Sequence, residues 1–437
     1  MDFNAWVGLF AFLIMLGFIV LGVPIFISVL VVTLAGSFIV GGLGFTLQQF
    51  AAEPYHVSST YTFAVVPLFV LMSGLAADCG LGDAAYEAAY KWFGKMRGGL
   101  LIATVFASAI FGAASGTFLA TVAVFGKVAL PQLDKYKYDK PYSMGCIAAS
   151  GTIDVLIPPS VPIIIFCILL DVSIGRALFG AIVPGLLLTV LMCIAIVVIG
   201  IMKPGSMPRA TDIQISWRER FSSLKLVVPI MLVILVVLGG MYLGVFAPTA
   251  AGAIGSAAVL LIALIKRTKL KTISNSFIES ILVNTQIFVL LIAGFLFARF
   301  ILMSGLTDDL MALVAGANMH PLLLMLVVII FYLFIGCVLE FLSMAIITLP
   351  IIYPLLLQAG FDPIATIIVI IMLSQIATIT PPFGMACFVM ASVAGVPSEM
   401  VFRGTMPFLI VCLLLTFMII FFPEIVTWLP DLLYGKG

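Results

Sequence analysis

GTIDVLIPPS at Gly151–Ser160 and SQIATITPPFG at Ser374–Gly384 decide how this chain is read. Each is an apolar stretch stopped by a Pro-Pro pair. Proline has no N–H, and its ring clashes with the turn before it. Two in succession free backbone carbonyls in the middle of what would otherwise be a helix. Inside a membrane such a break is tolerated where the freed groups line a cavity or are buried in protein. A plain proline kink would account for one copy. Two copies at equivalent places argue for broken helices built around a site.

The equivalence rests on an internal repeat. At a constant offset of 223 residues, Phe111 falls on Phe334, Pro131 on Pro354 and Asp139 on Asp362. Pro158 and Pro159 fall on Pro381 and Pro382, Phe179 on Phe402, and Pro184 on Pro407. Nearby offsets pair Gly80-Leu81 and Asp83 with Gly305-Leu306 and Asp308, and Pro24 with Pro248. The halves are residues 1–203 and 225–437, joined by a cytoplasmic linker at 204–224, the polar segment Pro204–Ser223. Equivalent loops differ in charge. Asp134–Lys140 holds three lysines and Leu357–Pro363 none, as expected of halves inserted with opposite orientation. Inverted repeats of this kind typify secondary transporters, whose sites lie at the midplane on interrupted helices.

Composition supports the membrane setting. The chain is 64% hydrophobic and 9% charged, against about 25% charged in ordinary soluble domains. Apolar runs recur at Trp6–Leu21, Ile25–Val40, Leu100–Ile110, Ala177–Met202, Leu226–Leu243, Ala250–Ile265, Phe277–Met303, Leu322–Leu339, Ala365–Ile379 and Met406–Phe422. They are continuous rather than alternating, which argues against a β-barrel. The expected fold is an all-α polytopic membrane protein. Basic residues mark cytoplasmic loops. They cluster at Lys91–Arg97, Lys135–Lys140, Lys203–Lys225 and Lys266–Lys271, whereas Glu53–Ser59, Thr307–Pro321 and Gln358–Pro363 carry none. Both termini are therefore expected outside. The net charge of +1 gives no sign of a nucleic-acid partner. No HExxH, GxSxG or paired intramembrane aspartate points to an enzyme.

Each half also has an earlier interruption. Ala113–Thr117 reads AASGT, followed by Thr121, and its counterpart is Gly336–Pro354, with Glu340 aligned on Thr117. Gly112–Pro131 is short enough to enter the membrane and turn back. The expectation is two re-entrant helical hairpins. Freed carbonyls and Ser/Thr hydroxyls are hard oxygen ligands suited to Na⁺, and the N-terminus of the following half-helix favours an anion. Ionisable residues at depth are candidates for function. Glu340 and Asp154 read either as carboxyls paired to neighbouring helices or as cation or proton ligands. Arg299 lies near the outer end of its span and reads as snorkelling to the interface. The amphipathic segment Gly82–Met96, with Asp83, Glu87, Lys91 and Lys95 at four-residue spacing, reads as an arm helix or a solvated connection.

FGAASGT at Phe111–Thr117, LIPPS at Leu156–Ser160, SIGRALFGAIVPG at Ser173–Gly185 and the Thr-Pro-Pro-x-Gly of Thr380–Gly384 resemble motifs of the large membrane subunit of the TRAP (tripartite ATP-independent periplasmic) transporters. The resemblance covers nearly the whole chain. It implies an elevator-type, Na⁺-coupled importer in the inner membrane of a bacterium or archaeon. The implied partners are a small four-helix membrane subunit and a periplasmic binding protein that delivers an organic anion, a carboxylate or a sulfonate. Carried over, the Na⁺ sites fall at Ser115, Gly116 and Thr117 with Thr152, Asp154 and Pro158, and at Glu340 with Thr380, Pro381 and Pro382. Ser160, Gly384 and Arg299 are the candidates for holding substrate. The family usually has Gly at the place of Asp154 and Asp at the place of Glu340. A stand-alone dicarboxylate/sodium symporter is the alternative.

Overall fold

The computed structural model describes residues 2–116, 118–209, 215–317, 319–336, 339–382 and 384–435. The described residues of the first half form α1 (Phe3–Val20), α2 (Ile25–Ser59), a 3-10 turn at Tyr61–Ala64, α3 (Val65–Asp78), α4 (Leu81–Phe93), α5 (Gly99–Ser115), α6 (Phe118–Val128), α7 (Leu130–Lys135), α8 (Lys140–Leu156), α9 (Val161–Leu169) and α10 (Ile174–Met202). The second half gives α11 (Trp217–Tyr242), α12 (Pro248–Ile265), α13 (Leu270–Ser304), α14 (Leu306–Gly316), α15 (Pro321–Ile335), α16 (Phe341–Gln358), α17 (Pro363–Ile379), α18 (Met385–Ala394), α19 (Ser398–Phe421) and α20 (Glu424–Tyr434). Among the described residues nine helices are long and apolar enough to cross a membrane, or ten if the bent pair α8–α9 counts as one span.

The 223-residue offset reappears in the helix boundaries. Shifting Lys140–Leu156 by 223 gives Pro363–Ile379, and the start of α6 with the end of α7 gives Phe341–Gln358. The repeated aspartate has a local cause. Asp139 caps α8 by accepting the Tyr142 N–H at 3.2 Å, and Asp362 caps α17 by accepting those of Ile364 and Ala365 at 2.9 and 2.8 Å. Such caps satisfy N–H groups that the first turn leaves free. Both helices stop where a proline follows. Ile157 and Thr380 are extended, because the residue before proline is pushed out of the helical region. Both Pro-Pro peptide bonds, Pro158-Pro159 and Pro381-Pro382, are cis.

The basic clusters meet at one end of the bundle. Arg97 donates to the Pro204 carbonyl at 3.4 Å, Lys203 to the Tyr142 hydroxyl at 2.6 Å, Lys266 to the Cys79 carbonyl at 3.3 Å, and the Trp92 indole to the Arg220 carbonyl at 3.2 Å. The opposite end joins the Asp2 N–H to Asp309 at 2.9 Å, Arg299 to Glu53 at 2.8 Å and Arg176 to Asp431 at 2.6 Å. The start of α1 and the end of α20 are therefore both at this second end, away from the basic clusters.

Three boundaries differ from expectation. Glu53–Ser59, expected as a loop, is the last part of α2, which runs on past a kink at Gly42, where φ is 73°. Tyr61–Asp78 is a candidate span that the sequence reading passed over. The second part of the polar segment Pro204–Ser223 is helical. Ser216 and Glu219 form a capping box that starts α11 at Trp217.

Candidate functional site

Both hairpins are present as helix–break–helix units. The first is α5, a break at Gly116, and α6. The second is α15, a break before Glu340, and α16. Each hairpin packs on the interrupted helix of its own half. In the first, the Ser108 hydroxyl donates to that of Ser150 at 3.0 Å, both fully buried, tying α5 to α8. One turn on, the backbones close up. A Cβ on Gly112 would stand 2.7 Å from the Asp154 Cα, and one on Gly116 would stand 2.9 Å from the Pro159 carbonyl oxygen. In the second, a Cβ on Gly336 would stand 2.1 Å from the Ala377 Cβ. Ala377 holds the place of Asp154 in the repeat. The Tyr332 hydroxyl and Thr348 Oγ1, 2.6 Å apart and buried, tie α15 to α16.

The first break collects oxygen. Asp154 is fully buried on α8, and its Oδ2 accepts a hydrogen bond from the Thr121 hydroxyl of α6. The Ser115 Oγ lies 3.5 Å from the Thr121 Oγ1. The Asp154 Oδ1 is buried with no hydrogen-bond partner. A buried acceptor without a donor is costly, so this oxygen is where a cation fits the residues present. The Pro159 carbonyl faces Gly116 from the break. Ser160 caps α9, accepting the Ile163 N–H at 3.4 Å. Thr152, by contrast, turns its hydroxyl to the Ala149 carbonyl at 2.7 Å, with the Cys412 sulfur of α19 3.7 Å away. Thr117 lies outside the described residues.

At the second break Glu340 caps α16. Its Oε1 accepts the Leu342 N–H and its Oε2 the Ser343 hydroxyl, each at 3.2 Å. The Thr380 hydroxyl donates to the Ile376 carbonyl at 2.7 Å. A Cβ on Gly384 would meet the carbonyl oxygens of Thr378 and Thr380 at 2.8 and 3.0 Å. Glycine thus lets two freed carbonyls turn inward there. Pro381 and Pro382 lie at the surface of this break, Pro382 the more exposed. Phe383 lies outside the described residues.

A cavity of about 360 Å³ joins these parts. Gly116, Phe118 and Leu119 of the first hairpin and Glu340, Phe341 and Leu342 of the second form one wall with Val161, Pro162 and Ile165 of α9. Val70 of α3 and Val283, Gln286, Ile287 and Leu290 of α13 form the other. Phe166 stacks on Phe341 at 5.7 Å from behind the first wall. Arg299 is not part of it. It sits further along α13, paired with Glu53, whose side chain is 8% exposed. Its own side chain is 58% exposed, as a guanidinium reaching towards the interface would be. Ser160 and Gly384 sit at the two breaks but are not among the cavity's lining residues.

Sequence reasoning passed over Gln286 and Gln375. Gln286 is an amide in the apolar run of α13. Gln375 is fully buried six residues before Pro381, with neither amide atom hydrogen-bonded. An uncharged amide in a long apolar helix was the available signal for both.

The family model of the tripartite ATP-independent periplasmic transporter, DctM component, matches residues 12–425. The C4-dicarboxylate TRAP transporter large permease protein DctM of Pseudomonas aeruginosa is 29% identical over 389 residues, 88% of this chain and 90% of that protein. The sialic acid TRAP transporter large permease protein SiaM of Vibrio cholerae is 29% identical over 432 residues, covering 97% and 98%. The ectoine TRAP transporter large permease protein TeaC of Halomonas elongata is 29% identical over 430 residues, covering 96% and 98%. Among solved structures, the Alcanivorax borkumensis YdaH transporter superposes with a TM-score of 0.54 at 13% identity, over 87% of this chain and 89% of that one. That likeness is one of fold.

Proposed function

The chain belongs to the DctM component family of the tripartite ATP-independent periplasmic transporters, and from that premise we propose that it is the large membrane subunit of a Na⁺-coupled importer of a small organic anion. The family is one of transporters, not enzymes. In this reading a periplasmic binding protein delivers the substrate and a small four-helix membrane subunit stands beside the chain. The chain sits in the inner membrane, its basic end in the cytoplasm and both termini outside. The relatives' names span dicarboxylates, sialic acid and ectoine, so the family leaves the cargo open.

The observation that carries the reading is the two-sided cavity. One wall is made of hairpin tips and an interrupted helix, the other of α3 and the long helix α13. A substrate between them touches both bodies. Sliding one body past the other, the elevator motion, would carry it across. The division between the bodies cuts across the repeat, each half giving one hairpin and one broken helix to the first body and one helix, α3 or α13, to the second.

Na⁺ would be held at the first break by Asp154 and Ser115 with the freed carbonyls, and at the second by Glu340 with the carbonyls around Thr380. It would supply positive charge beside buried oxygen and so tie substrate binding to the ion gradient. The chain's own residues do the rest. Asp154 and Thr121 hold α8 and α6 in register, Glu340 holds the first turn of α16, and Phe118, Phe341 and Ile165 give the cavity an apolar lining.

The test is uptake in proteoliposomes containing both membrane subunits, with the cognate binding protein loaded with its own cargo. Uptake should need an inward Na⁺ gradient and the binding protein. Uptake by this chain alone would establish the stand-alone symporter instead. Uptake without Na⁺ would remove the coupling.

A further inference from the structure

We propose that the cleft between α4 and α11 is a binding site for an anionic phospholipid, with one acyl chain in the cleft and the phosphate on the basic residues at its mouth. The cleft holds about 550 Å³, within the roughly 300–1,000 Å³ of small-molecule pockets. Its walls are carbon, from Ala88, Trp92, Phe106, Ile110, Leu224 and Val228. Leu224 and Val228 are 44% and 48% exposed. The cleft therefore opens on the outer surface of a membrane-spanning helix, where lipid tails lie.

The mouth is charged. Arg220 precedes Leu224 by one turn, on the same face of α11. Its guanidinium stacks on the Trp217 ring at 4.8 Å, its Nε is buried without a hydrogen-bond partner, and its carbonyl takes the Trp92 indole N–H at 3.2 Å. Lys91, Lys95, Arg218 and Lys225 are the other cations of these two segments, and Asp83, Glu87 and Glu219 are their acids. Glu87 is paired with Lys91 at 2.6 Å, and Glu219 is engaged in the capping box of α11. The excess is positive, at the level where basic residues of cytoplasmic loops meet anionic headgroups. A partner helix fits less well. With a diameter of about 10–12 Å, it would fill the cleft in roughly one turn and would gain nothing from the cations. The bound lipid would sit between α11 and α4, the helix that leads directly into the first hairpin.

The experiment uses full-length protein with Trp92 as its only tryptophan (Trp6→Phe, Trp217→Tyr, Trp428→Phe). It is reconstituted in phosphatidylcholine vesicles containing a minor fraction of phosphatidylglycerol, with bromine on the acyl chains of one lipid or the other. Brominated phosphatidylglycerol should quench Trp92 beyond its share of the bilayer. Arg220→Gln with Lys225→Gln should weaken that preference about 25-fold, at about five-fold for each charge removed. Val228→Phe, which fills the cleft and spares the cations, should abolish the excess quenching. Quenching that follows bulk lipid composition would overturn the proposal. So would excess quenching that vanishes when the small subunit is added, because the cleft would then belong to a partner helix.

Discussion

Replacing Gly336 by alanine tests how the second hairpin is seated. The added methyl would lie 2.1 Å from the Ala377 Cβ and 3.0 Å from the Tyr332 carbonyl oxygen, where ordinary contact begins at 3.4 Å. The hairpin and α17 would have to part by about 1.3 Å. Overpacking of this kind costs ~1–3 kcal/mol. Ala377→Gly alone should cost ~1 kcal/mol, the penalty of glycine inside a helix. The pair Gly336→Ala/Ala377→Gly moves the methyl from one helix to the other. What remains is the Tyr332 oxygen at 3.0 Å and the Ala377 Cα at 3.4 Å. The double variant should then lose about 1 kcal/mol or less, where the single losses sum to about 2–4 kcal/mol. That coupling of at least ~1 kcal/mol exceeds the ~0.3–0.5 kcal/mol scatter of independent sites. The assay is equilibrium unfolding in mixed micelles, with uptake measured on the same samples. Losses that simply add would refute the close contact of Gly336 with Ala377, and with it the seating of the hairpin on its own Pro-Pro segment.

Asp154→Asn should lower the apparent Na⁺ affinity of uptake at least about tenfold, the weight of ~1.4 kcal/mol; an unchanged Na⁺ titration would remove Asp154 from the ion site. Glu340→Ala should cost ~1 kcal/mol through the lost cap of α16 and lower Na⁺ affinity as well. Unfolding that shifts while Na⁺ dependence does not would leave it a cap alone. Arg299→Gln should destabilise the protein by ~1 kcal/mol, because the buried Glu53 loses its 2.8 Å partner and keeps only His56 at 3.7 Å, with the KM for substrate unchanged. A raised KM would return Arg299 to the substrate site. Cysteines placed at Lys269 and Asp309 should label from opposite faces of a sealed vesicle, and labelling from one face would break the inverted arrangement.

Much of this architecture was legible because proline and aspartate act locally. The Pro-Pro pairs that open at Pro158 and Pro381 each end a helix, and Asp139 and Asp362 each cap the start of one, so their spacing carried the repeat into the helix boundaries. What escaped depends on distant contacts or on length. Tyr61–Asp78 reaches the length of a span only when the 3-10 turn at Tyr61–Ala64 is added to α3, since Val65–Asp78 has 14 residues and a span needs roughly 20. Glu53 reads as a loop acid until Arg299, 246 positions away, is seen to pair with it. Thr152 stands among the site residues in sequence, but its hydroxyl bonds the Ala149 carbonyl of its own helix, on the side of α8 that meets α19.

The two Pro-Pro segments are symmetric in backbone and unequal in chemistry, and the glycines show why. Gly112 and Gly336 each let a hairpin helix approach the interrupted helix of its own half, one against Asp154 and the other against Ala377. The first contact leaves a buried carboxylate oxygen without a partner. The second leaves only a methyl. In the second half the acid has moved to the hairpin tip, where Glu340 is already satisfied by the Leu342 N–H and the Ser343 hydroxyl and opens on the cavity. A cation at the first break would answer an unmet need of the fold. A cation at the second would compete with hydrogen bonds that already exist. The first site should therefore bind Na⁺ more tightly, and Asp154→Asn should shift the Na⁺ titration further than Glu340→Gln. The reverse order would mean that the orphan oxygen of Asp154 is met by something other than the coupling ion.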